Sequence, residues 1–459
     1  MAGTSSIKLT DADYRMLQDI YEFYYIDYHA AKHRYFPIGK VPESSRSSYN
    51  RRMRRLAEKG LIAQVLFQSV RRKGKLGSSD SAYTLTKDGL KMLEDVYERE
   101  LEWDTSRKDR KNIYVQHHVG VLYYVMLYKD LMDEHKDGQK LEAYYGEQSS
   151  RYQRMGTDNF LKDHIKPDAT LFIALRGATI PWLIEYERES NASKTTILSK
   201  LSNYVDYAKN ASYRRHDIML QHDHVLDPVL VFYCDSEKVA ERRRQLIRES
   251  KLNFYSTKDK QGMGDILFAL RADVENDPYG TVYQRWLGER VSLEQINTVQ
   301  LLSQRLKESR FAELEARAGA TTYMWYPASV ASHVGLQLDG IIGFQTEKTQ
   351  AAHMVRYFPS THDTSSMSSS LQGLLHYKES VADKSPNQIL DRFKQNSPGL
   401  LLIVDRPEQE EELLRLLDQF RFEERTGWNC FVSRVELVLE QPFESNWLIP
   451  DSAGRHVPL

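Results

Sequence analysis

Apolar residues recur at helical spacing near the start of the chain, at Leu17, Ile20, Tyr21 and Tyr24. Thr10, with Asp13 three residues on, supplies the start signal for that helix. A short second helix is expected over 28–33, a turn at Pro37, Gly39 and Pro42, and a third helix over 44–59. Tyr49, Met53 and Leu56 mark the inner side of the third helix, and Gly60 stops it. A strand follows over 61–68, then a glycine-containing tip over 71–79, a return strand over 82–85 and a closing helix over 86–97. Residues 103–111 lack apolar periodicity and read as a linker. The apolar stretch 112–131 is long enough for a helix, with His117 and His118 in its first turns. Then come a strand over 141–148 and a polar loop over 149–164. Two apolar runs flank a tight turn at Gly177, the mark of a β-hairpin. A helix over 194–207, a buried strand over 228–234, a helix over 237–249 and strands at 252–255 and 265–270 complete this part.

At 459 residues the chain is long enough for about three domains. The boundaries read from the pattern are 7–100, 111–288 and 290–459, which makes the chain α/β and multidomain. The formal net charge is −1, so attraction to a polyanion must come from local charge. That local charge exists. Between Lys40 and Lys75 there are eleven Lys or Arg and two acids. Arg46, Arg51, Arg52 and Arg55 fall on the third helix; Arg71, Arg72 and Lys73 fall on the hairpin tip. Three helices followed by a two-stranded wing is the winged-helix order, whose third helix enters the major groove of double-stranded DNA. The excess thus lies on both elements that would touch DNA. No apolar run approaches the roughly 20 residues needed to cross a membrane. The first residues show no basic segment followed by an apolar stretch, so no signal peptide is expected. Cys234 and Cys430 form no CxxC pair, which fits a reducing compartment and a cytoplasmic protein.

The candidate chemistry lies on the hairpin. Asp168 opens its first strand, and Glu185 and Glu187 lie near the end of the second. Residues two apart on a strand point the same way. A register that brings Asp168 alongside the glutamates gathers three carboxylates, which is costly unless a divalent cation neutralises them. Mg²⁺ or Mn²⁺ suits such oxygen donors, and the chemistry indicated is metal-assisted cleavage of a phosphodiester. A histidine on the preceding helix, His117 or His118, is placed to assist. His222, Asp223 and His224 also suggest metal ligands by type, but read as a surface loop.

The last third echoes the hairpin. Leu338 to Phe344 parallels Pro167 to Ile173, and His353 to Tyr357 parallels Trp182 to Tyr186. Asp168 lies 17 residues before Glu185, and Asp339 lies 17 before Arg356. Residues 290–459 therefore read as a duplicated domain that has lost its acids: Arg356 stands for Glu185, Phe358 for Glu187, and Gly373 falls at the place of Lys200.

Pro167-Asp168 followed by Glu185-x-Glu187 resembles the PD-(D/E)xK signature of restriction-endonuclease-like folds, which implies an αβββαβ core. The signature's lysine is missing, since Glu187 occupies its place. Some members carry it on the next helix, which makes Lys200 the candidate and Lys194 the weaker one. The winged-helix start, Pro167-Asp168-Ala169, Glu185-x-Glu187 and the helix with Lys200 and Tyr204 together resemble the replication-relaxation family of bacterial plasmid and mobile-element proteins. That resemblance covers residues 7 to about 290 and implies processing of plasmid DNA. Three readings follow. The first is a metal-dependent endonuclease or nickase using Asp168, Glu185, Glu187 and Lys200. The second is a non-catalytic DNA-binding initiator or regulator that keeps the nuclease fold as a scaffold. The third is a tyrosine relaxase, which the absence of a clean paired-histidine motif disfavours. A homodimer is compatible with each.

Overall fold

The hairpin expected around Gly177 forms, between β-strands at Ala169–Leu175 and Ala178–Glu187. Its two-residue turn is Arg176-Gly177, with φ of 49° and 81°. Two consecutive left-handed residues give a turn whose twist matches that of the strands it joins, and glycine takes the second position without steric cost. The structure is a computed structural model. It describes residues 9–35, 45–67, 80–128, 130–133, 138–155, 161–188, 194–249, 256–257, 264–285, 289–318, 322–332, 335–345, 350–384, 387–391, 398–442, 447–450 and 456–457. These form two units, Met1–Ile173 with Leu183–Arg188, and Ala174–Trp182 with Glu189–Leu459. Among the described residues no helix is long and apolar enough to cross a membrane.

The first unit opens with α1 (Asp11–Phe23), β1 (Ile26–Asp27), α2 (Tyr28–Tyr35), α3 (Ser45–Glu58), β2 (Ile62–Phe67), β3 (Asp80–Leu85) and α4 (Lys87–Tyr97). Thr10 and Asp13 make the expected capping box on α1. Tyr49, Met53 and Leu56 are buried under α3, as their spacing required. β2 and β3 pair antiparallel from Ile62 opposite Leu85 to Phe67 opposite Asp80, and β1 joins β3 on its other edge. The helix α5 (Asn112–Met126) follows, and its Val115 and Val119 pack with Tyr24, Tyr25, Val65, Phe67 and Ala82. This apolar cluster joins α5 to the N-terminal elements. The expected polar loop over 149–164 is corrected: Tyr152–Met155 and Leu161–Ile165 pair as a small antiparallel ribbon. Its short, mostly polar strands lack the apolar alternation that marks a strand in sequence. Within this unit the strand at Gln139–Gly146 neighbours the first hairpin strand, which neighbours the second.

In the second unit, the helix at Lys194–Lys209 is followed by strands at Val229–Cys234, Ile266–Leu270, Tyr283–Arg285 and Arg290–Val291. The Val229–Cys234 strand adjoins the second hairpin strand, and the others follow outward in chain order. The 26-residue helix Leu293–Ala318 then starts a new series. Its strands are Thr322–Pro327, Gly340–Gln345, Gln350–Phe358, Gly399–Val404, Asn429–Arg434, Trp447–Leu448 and His456–Val457, lying side by side in that order. A helix at Thr364–His376 falls between the third and fourth, and one at Pro407–Gln419 between the fourth and fifth. The Gly399–Val404 strand is buried on both faces. Leu400, Leu402 and Val404 join one apolar cluster, while Leu401 and Ile403 join another with Val299, Leu302 and Leu306 of the long helix. Period-two alternation across a sheet covered on both sides gives this result. The expected strand at 252–255 lies outside the described residues.

Candidate functional site

Asp168 lies immediately before the first hairpin strand and is 8% exposed. Its backbone N–H donates to the carbonyl of Ile184 at 2.9 Å. Its carboxylate Oδ2 accepts from the backbone N–H of Tyr186 at 2.7 Å. Asp168 thus grips the second strand on both sides of Glu185, which is itself 1% exposed. Glu187, two residues further on, is half-buried. Two acids are therefore buried at one strand end, an arrangement that needs hydrogen bonds or a cation to be stable.

The helix α5 supplies the other side of the site. His117 Nε2 lies 3.0 Å from Asp168 Oδ1, and its ring stacks on Tyr186 with centroids 5.5 Å apart. Of the two histidines, His117 is the one that meets Asp168. Its neighbour His118 is buried and sits edge-on to Tyr24 at 4.8 Å. Burial, with the His117 ring beside it, pushes the His118 pKa well below the ordinary value. That keeps His118 neutral and suits it to packing. One turn along, Gly120 meets Tyr186: a Cβ there would come within 2.5 Å of the tyrosine ring. Glycine is what lets the Tyr186 ring approach the helix this closely. Arg188 closes the strand end by donating to Gln116 Oε1 at 2.7 Å and to the Ile113 carbonyl at 3.2 Å.

Mg²⁺ is bound through one or two carboxylates together with water and substrate phosphate. The donor types here, Asp168 and Glu185 with Glu187 nearby, suit that ion. Among the described residues, no three His, Cys, Asp or Glu side chains gather closely enough to hold a metal by themselves. Lys200 lies half-buried on the Lys194–Lys209 helix, in the second unit.

On α3, Arg46, Arg51, Arg54 and Arg55 are exposed. Arg52 is half-buried, with its Nε 3.3 Å from Asp13 Oδ1. A cavity of about 310 Å³ opens beside the helix, lined in part by Lys32, Ser48, Arg51, Arg52 and Arg55. Arg71, Arg72 and Lys73 lie outside the described residues.

The second unit holds a group of charges that only Asp339 and Arg356 announced in sequence. Asp339 N–H donates to the Val355 carbonyl at 2.9 Å, and Asp339 Oδ2 accepts from Tyr357 N–H at 2.8 Å. Arg356 Nη1 lies 2.6 Å from Glu289 and 3.5 Å from Asp339 Oδ2. Arg285 reaches Asp339 and Glu289, each at 2.8 Å, and Asp265 at 3.1 Å. All five side chains are at most 8% exposed. Burial alone would raise the Glu289 pKa, but Arg356 and Arg285 outweigh it and hold it at about 2. Arg285 and Glu289 carry no signal in sequence, because they meet Asp339 only through packing between residues of two different sheets.

Residues 18–220 match the family model described as Replication-relaxation. The resemblance read from the sequence is borne out over that span. No curated protein matches the chain. Among solved structures, the chain is similar to restriction endonuclease FokI at 12% identity, covering 84% of this chain and 56% of that one, with a TM-score of 0.22. It is similar also to FokI bound to DNA, at 11% identity, covering 84% and 55%, with a TM-score of 0.20. The chain thus spans little more than half the length of those structures.

Proposed function

We propose that this chain is a DNA-processing protein of replication-relaxation type that binds double-stranded DNA through a winged helix over 7–100. Residues 111–288 act as a PD-(D/E)xK-like nuclease domain, and residues 290–459 as a degenerate copy. The observation that carries the nuclease reading is the grip of Asp168 on both sides of the buried Glu185. Asp168 and Glu185 would hold Mg²⁺ or Mn²⁺, and Glu187 would complete the set or orient water. Such an ion polarises a phosphodiester and favours ionisation of an attacking water. His117 fixes the orientation of the Asp168 carboxylate, and Lys200 offers a cation from the following helix. The test is nicking of supercoiled plasmid with Mg²⁺ or Mn²⁺. Wild type should cut and Asp168→Asn should not, with DNA binding unchanged; equal cutting by both would refute the assignment.

A second reading is favoured by one observation: both Asp168 oxygens already have protein partners, His117 and the Tyr186 N–H. On that reading the chain is a non-catalytic DNA-binding initiator or regulator, and wild type cuts no cognate DNA. DNA binding has its own test. Replacing Arg51, Arg52 and Arg55 with alanine should weaken binding and reduce the salt slope by about 0.9 for each phosphate that is no longer neutralised. An unchanged slope would place the DNA face elsewhere.

A further inference from the structure

The second unit contains a cavity of about 670 Å³ that neither the hairpin acids nor the arginines of α3 account for. Arg176 of the hairpin turn, Arg214 and Arg305 all line it, and each comes from a different element. His222 and His224 add two imidazoles, and Glu308 is the one carboxylate among the lining residues. Glu436, which is not among the lining residues, pairs with Arg176 at 3.8 Å. Cations thus outnumber acids in a concave site, where low-dielectric walls strengthen their field.

The cations are also held in place. Arg305 donates through Nε and Nη2 to the carbonyls of Leu439 and Glu440, each at 2.7 Å. Those bonds fix the guanidinium plane and leave further donors on it, since arginine has five. Arg214 packs over the Tyr213 ring with its guanidinium carbon 5.8 Å from the centroid. The His224 backbone is fixed in a left-handed conformation, φ 49°, with its carbonyl accepting from Thr179 N–H at 3.1 Å. Apart from Gln304, the remaining side chains of the wall are apolar and include Leu226, Leu301 and Leu220, the last 65% exposed.

We infer that this cavity binds a phosphorylated nucleoside. Planar guanidinia match the oxygens of a phosphate in bidentate fashion. Imidazole and guanidinium planes stack on bases, and the leucines offer an apolar surface for the base or sugar. The volume falls in the range of small-ligand sites. The same chemistry could come from a free nucleotide or from one nucleotide of a DNA strand.

The experiment is calorimetric titration of the full-length protein with inorganic phosphate, with ATP, and with a ten-nucleotide single-stranded DNA. It compares wild type with an Arg176→Asn/Arg214→Ala double variant. Asparagine is chosen because it tolerates the left-handed turn position, and an unchanged melting temperature confirms folding. The double variant should bind ATP or the oligonucleotide at least tenfold more weakly. Arg51→Ala/Arg55→Ala serves as the control for the separate DNA face and should leave ATP binding unchanged. ATP binding alone would identify a free-nucleotide site; oligonucleotide binding that survives the α3 control but not the double variant would identify a strand site. No binding of either probe, equal binding by wild type and double variant, or binding of inorganic phosphate as tight as that of ATP would overturn the inference.

Discussion

Asp168 and Asp339 each donate a backbone N–H to the residue 16 positions later, Ile184 or Val355, and each carboxylate accepts from the N–H 18 positions later, Tyr186 or Tyr357. A helix residue approaches the other oxygen in both: His117 Nε2 at 3.0 Å from Asp168, and Gln295 Nε2 at 3.4 Å from Asp339. The residue framed between these bonds differs. It is Glu185 in one and Arg356 in the other. In the second, the framed side chain reaches the aspartate, with Arg356 Nη1 3.5 Å from Asp339 Oδ2. The hairpin with arginine carries its own cation, neutralised by Glu289 and Asp339. The hairpin with glutamate has a second buried acid in that sequence position and, on the proposed reading, takes its cation from solution.

The largest expected effect tests the built-in cation. Arg356→Ala leaves Glu289 and Asp339 buried beside one guanidinium instead of two, and should destabilise the second unit by about 3–5 kcal/mol. Chemical denaturation would measure this; a loss below 1 kcal/mol would mean that Arg356 is not the counter-ion of that group. Acid titration sharpens the contrast between units. Burial raises the pKa of Glu22, in the first unit, to about 7 against hydrogen bonds from Ser149 and Gly146. A raised folded-state pKa means that its contribution is fully present below the unfolded value near 4.5 and is lost as pH rises through 7. The loss should be about 3 kcal/mol, and Glu22→Gln should remove that part of the pH dependence. Glu289 has the opposite sign: its depressed pKa contributes stability above about 4.5 that is lost as pH falls towards 2. If the first unit were most stable at pH 7, the Glu22 assignment would fail. A smaller effect is expected at Gly120. Gly120→Ala forces a Cβ against Tyr186 and should cost about 1–3 kcal/mol. Because Tyr186 N–H holds Asp168, it should also slow plasmid nicking; unaltered melting and nicking would show that the ring moves aside freely.

Much of this was legible in the sequence because local rules agree with the fold. Thr10 with Asp13, Gly60 after α3, and the apolar runs around Gly177 each mark an element through short-range chemistry. The 17-residue spacing exposed the likeness between the hairpins, since strand register preserves sequence distance. What stayed hidden depends on register and on contacts between distant residues. The ribbon at Tyr152–Met155 and Leu161–Ile165 has polar strands that look like loop. Tyr186 serves Asp168 through its backbone N–H, which no residue type announces. Arg285 meets Asp339, and Glu289 meets Arg285 and Arg356, only through packing of residues far apart in the chain, and the cavity arginines come from three elements far apart in the chain.

On the proposed reading the Asp168 end takes up a divalent cation and the Asp339 end does not. Counting Mn²⁺ by electron paramagnetic resonance, with cognate duplex DNA present, tests it most directly. Wild type should bind one Mn²⁺ at this site per chain, Asp168→Asn should lose it, and Arg356→Ala should keep it. Mn²⁺ binding that is unchanged in Asp168→Asn, or lost in Arg356→Ala while the first unit remains folded, would refute the assignment of the cation to Asp168.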